Sequence, residues 1–150
     1  GGALNSRLGT VIRDEQGLAY TVESFFDAGW YPGPFTVGLG TNPANAWKAI
    51  DTMVREVKRL RDQGITRRER DEAVAYLTGR FPLRLETNSG MADVLWAMEF
   101  YRLGADYLDR YGDHYRAVTV TQANEAAQKH LHPDQATLVV AGTDPGSGEP

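Results

Sequence analysis

The stretch GLAYTVESFFDAGWYPGPFTVGLG, residues 17–40, decides the fold class. Leu18, Tyr20 and Val22 alternate with Ala19, Thr21 and Glu23, which is the two-residue period of a strand with one buried face, in β-branched and aromatic residue types. Asp27 to Pro34 is broken by Gly29, Pro32, Gly33 and Pro34, and beyond it Phe35, Val37 and Leu39 alternate with Thr36, Gly38 and Gly40. Two strands, Leu18–Phe26 and Phe35–Gly40, joined by a turn-rich segment predict an antiparallel hairpin. The hairpin also governs Gly38-Leu39-Gly40. Glycines between a strand and a helix suit a pyrophosphate only inside a β-α-β unit, and here Pro43 takes the third glycine's place. The spacing favours a close-packed strand-to-helix turn.

Upstream, Leu4, Leu8, Val11 and Ile12 fall at helical spacing, with Gly17 placed for a left-handed C-terminal cap. The apolar face is under way by Leu4, so the chain reads as truncated at its N-terminus. Downstream, Asn42 caps and Pro43 opens a helix whose face runs Trp47, Ile50, Val54, Val57 and Leu60 to a stop at Gly64. Thr66 and Glu69 make a capping box before Ala73, Val74, Leu77 and Phe81, and Pro82 is expected to kink or interrupt that helix. Another helix opens at Asn88 or Ser89, carries Met91, Leu95, Met98 and Arg102, and closes at Gly104; Tyr107–Tyr115 predicts a short one. Thr119 and Gln122 box a last helix through Ala123, Ala126, Ala127 and Leu131, ended by His132-Pro133. Thr137–Ala141 predicts a third strand, and 144–150, nearly all Gly, Pro, Ser or acid, a flexible linker or tail. Helix, two strands, four or five helices and a strand give an α+β domain over 1–143, an antiparallel sheet with helices on one face.

At 150 residues, 41% hydrophobic and 24% charged, the chain is long enough to hold a core without covalent staples. Absence of cysteine excludes disulfides, thiol nucleophiles and thiolate zinc sites. A net charge of −4 argues against nucleic acid, whose phosphates call for a basic face. No run approaches the roughly 20 apolar residues of a membrane span. Neither cytoplasm nor periplasm is favoured.

His130 and His132 straddle a helix end, where contact with exposed carbonyls is the ordinary role and metal chelation the special one. His114, between Asp113 and Tyr115, offers less, and neither H-E-x-x-H nor H-x-x-E-H occurs. The basic run from Arg55 to Arg70 is interleaved with Glu56, Asp62 and Glu69, the pattern of a solvated helical face. RDEQGLAY, Arg13 to Tyr20, differs in kind. An arginine in the last helical turn, a glycine turn and a tyrosine on the next strand can bring a guanidinium and a phenol near one point, to hold a peptide carbonyl and donate to a developing oxyanion. The structural alternatives are that Arg13 complements the helix dipole and that Tyr20, sharing a face with Leu18 and Val22, is core.

Three stretches together resemble the pitrilysin/insulinase-type zinc metallopeptidases: GGALNSRLGTVIRDEQGLAY; GLGTNPANAWKAIDTMVREVKRLRDQGITRRERDEAVAYLTGRFPLRLETNSGMAD; and AVTVTQANEAAQKHLHPDQATLVVAG. The likeness is to the zinc-free, C-terminal partner domain of bacterial two-domain members. It implies a fold related to the ferredoxin-like α/β roll, with preceding strands that this chain lacks. It also implies zinc held by a homologous zinc-bearing domain or subunit rather than by this chain, a clamshell closing over a peptide substrate, and an arginine–tyrosine pair. On that resemblance Arg13 contacts a substrate main-chain carbonyl, Tyr20 stabilises the tetrahedral intermediate, and the chain alone is inactive.

Two rivals stand beside it. A non-catalytic scaffold subunit of the same family has no need of Arg13 and Tyr20 converging on a cleft. An RNA-binding sheet would use exposed aromatics such as Phe25, Phe26 and Phe35, but the acidic balance and the lack of an RNP-like pattern oppose it.

Overall fold

The computed structural model describes residues 2–3 and 5–142. The chain divides into two compact units, Gly1–Gly64 with Ala126–Pro150, and Ile65–Glu125. Leu4 and the tail expected over 144–150 lie outside the described residues.

In the first unit a π-helical segment, Gly9–Glu15, leads into the predicted hairpin, β1 (Ala19–Phe26) antiparallel to β2 (Phe35–Thr41). Asn42 caps the next segment as expected, its side-chain oxygen accepting from the Ala44 amide at 3.0 Å. A short 3-10 turn, Pro43–Asn45, then opens into α1 (Ala46–Gln63). Leu8, Ile12, Leu18, Ala19 and Ala49 form the core, with Val22, Val37, Leu39 and Met53 packed against it from the hairpin and α1. Ile12 is wholly buried, and burial of a side chain of this type stabilises by about 1.5–3 kcal/mol. The buried residues of α1 are Ala46, Ala49, Thr52 and Glu56, not the expected row of Trp47, Ile50, Val54 and Val57, which stands half-buried at its flanks. Small side chains on the seam let the helix approach closely, and the larger ones close its margins. Thr52 is satisfied by donating to Gln16 Oε1 at 3.3 Å. Lys58 and Arg61 reach Asp134, at 2.5 and 2.9 Å, and tie Pro133–Gln135 to the end of α1.

The expected third strand does not form. Residues 137–141 carry no strand pairing, and Leu138, Val139 and Val140 are exposed, Val139 at 82%. High β propensity makes a strand only where a neighbour supplies the other half of the ladder. The sheet of the described residues is the β1–β2 hairpin.

The second unit is helical: α2 (Arg67–Leu85), α3 (Asn88–Phe100), α4 (Tyr107–Ala117) and the start of α5 (Val120–His130). The Thr66/Glu69 capping box forms, and Thr119 and Gln122 make the same reciprocal bonds. Pro82 does not interrupt α2. It sits in the last turn, so only the bond to the Thr78 carbonyl is forgone, and the preceding Phe81 is buried and stacked on Tyr111 at 3.6 Å between ring centres. On α3 the buried residue is Val94, while the expected Leu95 is 51% exposed. The α+β class expected from the sequence stands.

Candidate functional site on the hairpin

Gly17 is where the site is made. Its φ of +58° is the left-handed conformation that glycine adopts without penalty. The turn is closed by the Gly17 amide donating to the Arg13 carbonyl at 3.1 Å and the Leu18 amide donating to the Ile12 carbonyl at 2.9 Å. Arg13 therefore stands in the last helical turn, and Tyr20 is the second residue of β1 on the far side of the glycine.

Tyr20 is set by a β-bulge. Ala19 pairs with Thr41 and Thr21 with Gly40, which leaves Tyr20 as the extra residue of β1. A bulge re-aims the side chain it carries, and here Ala19 stays buried and Val22 packs on the core while Tyr20 is 91% exposed. The reading of Tyr20 as a core residue in phase with Leu18 and Val22 is thereby corrected: the extra residue breaks the two-residue period. The Tyr20 hydroxyl makes no hydrogen bond among the described residues, and Tyr20 is one of the residues that border an open cleft of about 480 Å³. Gly17, Thr21, Gly40, Asn42 and Asn45 share that lining, and no charged residue contributes to it. Thr41 Oγ1 donates to the Leu18 carbonyl and holds the end of β2 against the turn.

Arg13 is not part of the cleft lining. Its guanidinium engages the neighbouring carboxylate, Nε to Asp14 Oδ1 at 2.7 Å and Nη2 to Oδ2 at 3.2 Å. This hydrogen-bonded pairing holds the Arg13 pKa above and the Asp14 pKa below its ordinary value. The structure thus places the two expected residues on either side of one turn, with Tyr20 exposed beside the cleft and the Arg13 guanidinium paired with Asp14.

Among the described residues no three of His, Asp or Glu are grouped to hold a metal ion. His130 ends α5, His132 precedes the Pro133 turn, and His114 lies 6.2 Å from the Tyr107 ring in the other unit. The basic run is engaged along its own helices, with Arg59 on Glu56, Arg61 on Asp62 and Arg68 on Glu72. No helix among the described residues is long and apolar enough to cross a membrane.

The bulge and the contributions of Thr21, Gly40, Asn42 and Asn45 were not anticipated. The available signal was Gly40, since glycine inside a strand marks a bulge or a close approach.

The sequence profile described as "Peptidase M16 inactive domain" matches residues 1–77. The chain is 25% identical over 141 residues, 94% of its length, to the "Uncharacterized zinc protease YmxG" of Bacillus subtilis. It is 24% identical over 143 residues, 93% of its length, to the "Non-peptidase homolog YmxG" of Helicobacter pylori. Its fold matches the crystal structure of a peptidase M16 inactive domain from Pseudomonas fluorescens with a TM-score of 0.69 and 30% identity, over 90% of this chain and 32% of that one. The chain spans between 7% and 34% of the length of the curated relatives it matches. The chain belongs to the peptidase M16 family and is an inactive domain of it.

Proposed function

We propose that this chain is the zinc-free half of a metallopeptidase, which closes as a clamshell over a peptide held against a homologous zinc-bearing domain or subunit. Tyr20 donates its phenolic hydrogen to the carbonyl oxygen as it becomes an oxyanion, and Arg13 grips a main-chain carbonyl of the same peptide. The observation that carries this reading is Tyr20, exposed at a bulge on the border of an uncharged cleft. A donor in such a place lowers the barrier only if it meets the transition state, so its loss should slow turnover rather than weaken binding. For Arg13 to take part, its guanidinium exchanges Asp14 for the substrate.

The test uses the chain assembled with its zinc-bearing partner. Tyr20→Phe should lower kcat about 100- to 1,000-fold, the usual effect of removing one oxyanion donor, with KM little changed. Arg13→Ala should raise KM. Cleavage should need the partner and stop with a chelator. Unchanged kcat in Tyr20→Phe sinks the assignment.

A second reading, a non-catalytic structural partner of the same family, is favoured by the closed Arg13–Asp14 pair and by the name of the Helicobacter pylori relative. On that reading both variants leave turnover unaltered while assembly with the partner domain persists.

A further inference from the structure

The turn that ends α3 is strained. Arg102 has a φ of +54°, the left-handed conformation, and among the described residues it is the only residue other than glycine to adopt it. The turn closes as a helix cap, the Arg102 amide donating to the Glu99 carbonyl at 3.2 Å and the Leu103 amide to the Met98 carbonyl at 2.9 Å. Glycine is the usual residue at that position, because a Cβ there crowds the backbone. An arginine kept in its place points to a use for the side chain. Nothing among the described residues takes it up. Neither Arg102 nor Glu99, three residues before it, makes a side-chain ion pair or hydrogen bond among them. Elsewhere in this unit charges at such spacing close on each other, Arg68 on Glu72 at 2.7 Å, and Arg110 on Asp106 and Arg116 on Asp113 at 3.0 Å. Glu99 and Arg102 instead border an open cavity of about 440 Å³, a size that holds a small molecule, with Leu95, Met98, Gly104 and Ala105 as the rest of its lining. Leu95 is 51% exposed, so an apolar surface stands open beside two unpaired charges of opposite sign.

We propose that this cavity binds a free apolar α-amino acid of the leucine type, its carboxylate on the Arg102 guanidinium, its ammonium on Glu99 and its side chain on Leu95 and Met98. The class follows from the pair of charges. Glu99 repels a ligand that is only an anion and Arg102 one that is only a cation, whereas a zwitterion satisfies both. Residues three apart on a helical turn have Cβ atoms about 5–6 Å apart, so two long side chains can converge on charged groups that share one carbon. Leu95 and Met98 offer a charged side chain no partner, which selects an apolar one. The site lies wholly within the second unit and does not rest on the reading of Tyr20.

The experiment titrates the full 150-residue chain with L-leucine and follows the amide resonances of residues 95–105 by NMR. Saturable shifts in the millimolar range are expected, the strength that two exposed ion pairs and one apolar side chain supply. N-acetyl-leucine lacks the ammonium and leucinamide the carboxylate, and each should bind up to about fivefold more weakly, the upper end for an exposed ion pair. Glu99→Gln should weaken leucine and leave N-acetyl-leucine unchanged, and Arg102→Lys should keep part of the affinity. Arg102→Gly separates the ligand from the strain: it should raise the thermal midpoint, since glycine suits the left-handed position, while it weakens leucine. Absence of a saturable shift with leucine overturns the inference. So does equal affinity for leucine, N-acetyl-leucine and leucinamide, or a leucine affinity unchanged in both Glu99→Gln and Arg102→Gly.

Discussion

The two units of this chain are held by different means. The first gathers Leu8 and Ile12, Leu18 and Ala19, and Ala49 from three elements into one buried cluster. The second buries Phe81 on α2 and Val94 on α3, and leaves Leu83, Leu95, Trp96 and Phe100 exposed. Its helices lean on local devices: two capping boxes, the i,i+4 pairs Arg68–Glu72 and Arg110–Asp106, and a ring stack of Phe81 on Tyr111. The candidate site lies on the unit with the long-range core. A cleft that must aim one phenol needs a rigid support, and a packed core supplies more rigidity than caps and surface ion pairs.

Three substitutions put that contrast at risk. The largest effect belongs to Ile12→Ala, which leaves a cavity at the centre of the first unit and should cost about 2–5 kcal/mol. Urea unfolding measures the loss, and hydrogen exchange should show the β1 and β2 amides losing protection. A cost near zero would mean that the buried cluster is not what holds the site. Next is Thr66→Ala, which removes the cap of α2 and should cost about 1 kcal/mol, with faster exchange confined to the first turns of α2. If its cost rivals that of Ile12→Ala, the contrast between the units disappears. The smallest belongs to Asp134. Hydrogen bonds from Lys58, then Arg61, hold its carboxyl down to about 2, below its ordinary 3.8. A depressed pKa contributes stability above the unfolded value and loses it as pH falls through the folded one. Asp134→Asn should therefore be slightly less stable than the native chain at pH 7, and the gap should close between about pH 4 and pH 2. A gap that persists at pH 2 would assign the effect to something other than this ion pair.

Local signals were legible where the physics is local. The Thr66/Glu69 and Thr119/Gln122 boxes, the Asn42 cap and the Gly17 turn depend on residues within a few positions of each other, and each forms as its spacing implies. What sequence spacing misjudged was decided by partners. Thr137–Ala141 has strand propensity without a strand beside it. Pro82 is tolerated because it falls in the last turn of α2, where Phe81 is anchored on Tyr111. The seam of α1 runs through Ala46, Ala49 and Thr52 because close approach counted for more than apolar size.

The candidate site divides along the same line. The sequence by itself determined the turn between Arg13 and Tyr20, because a helix ending at glycine and a strand beginning after it need only local backbone preferences. It determined the α+β class and the resemblance to a zinc-free peptidase half. Only the tertiary structure decided that Tyr20 points outward. The physical reason is register. One extra residue in β1 rephases the strand against β2, and pairing between segments some twenty residues apart is a property of the assembled sheet, not of either segment alone.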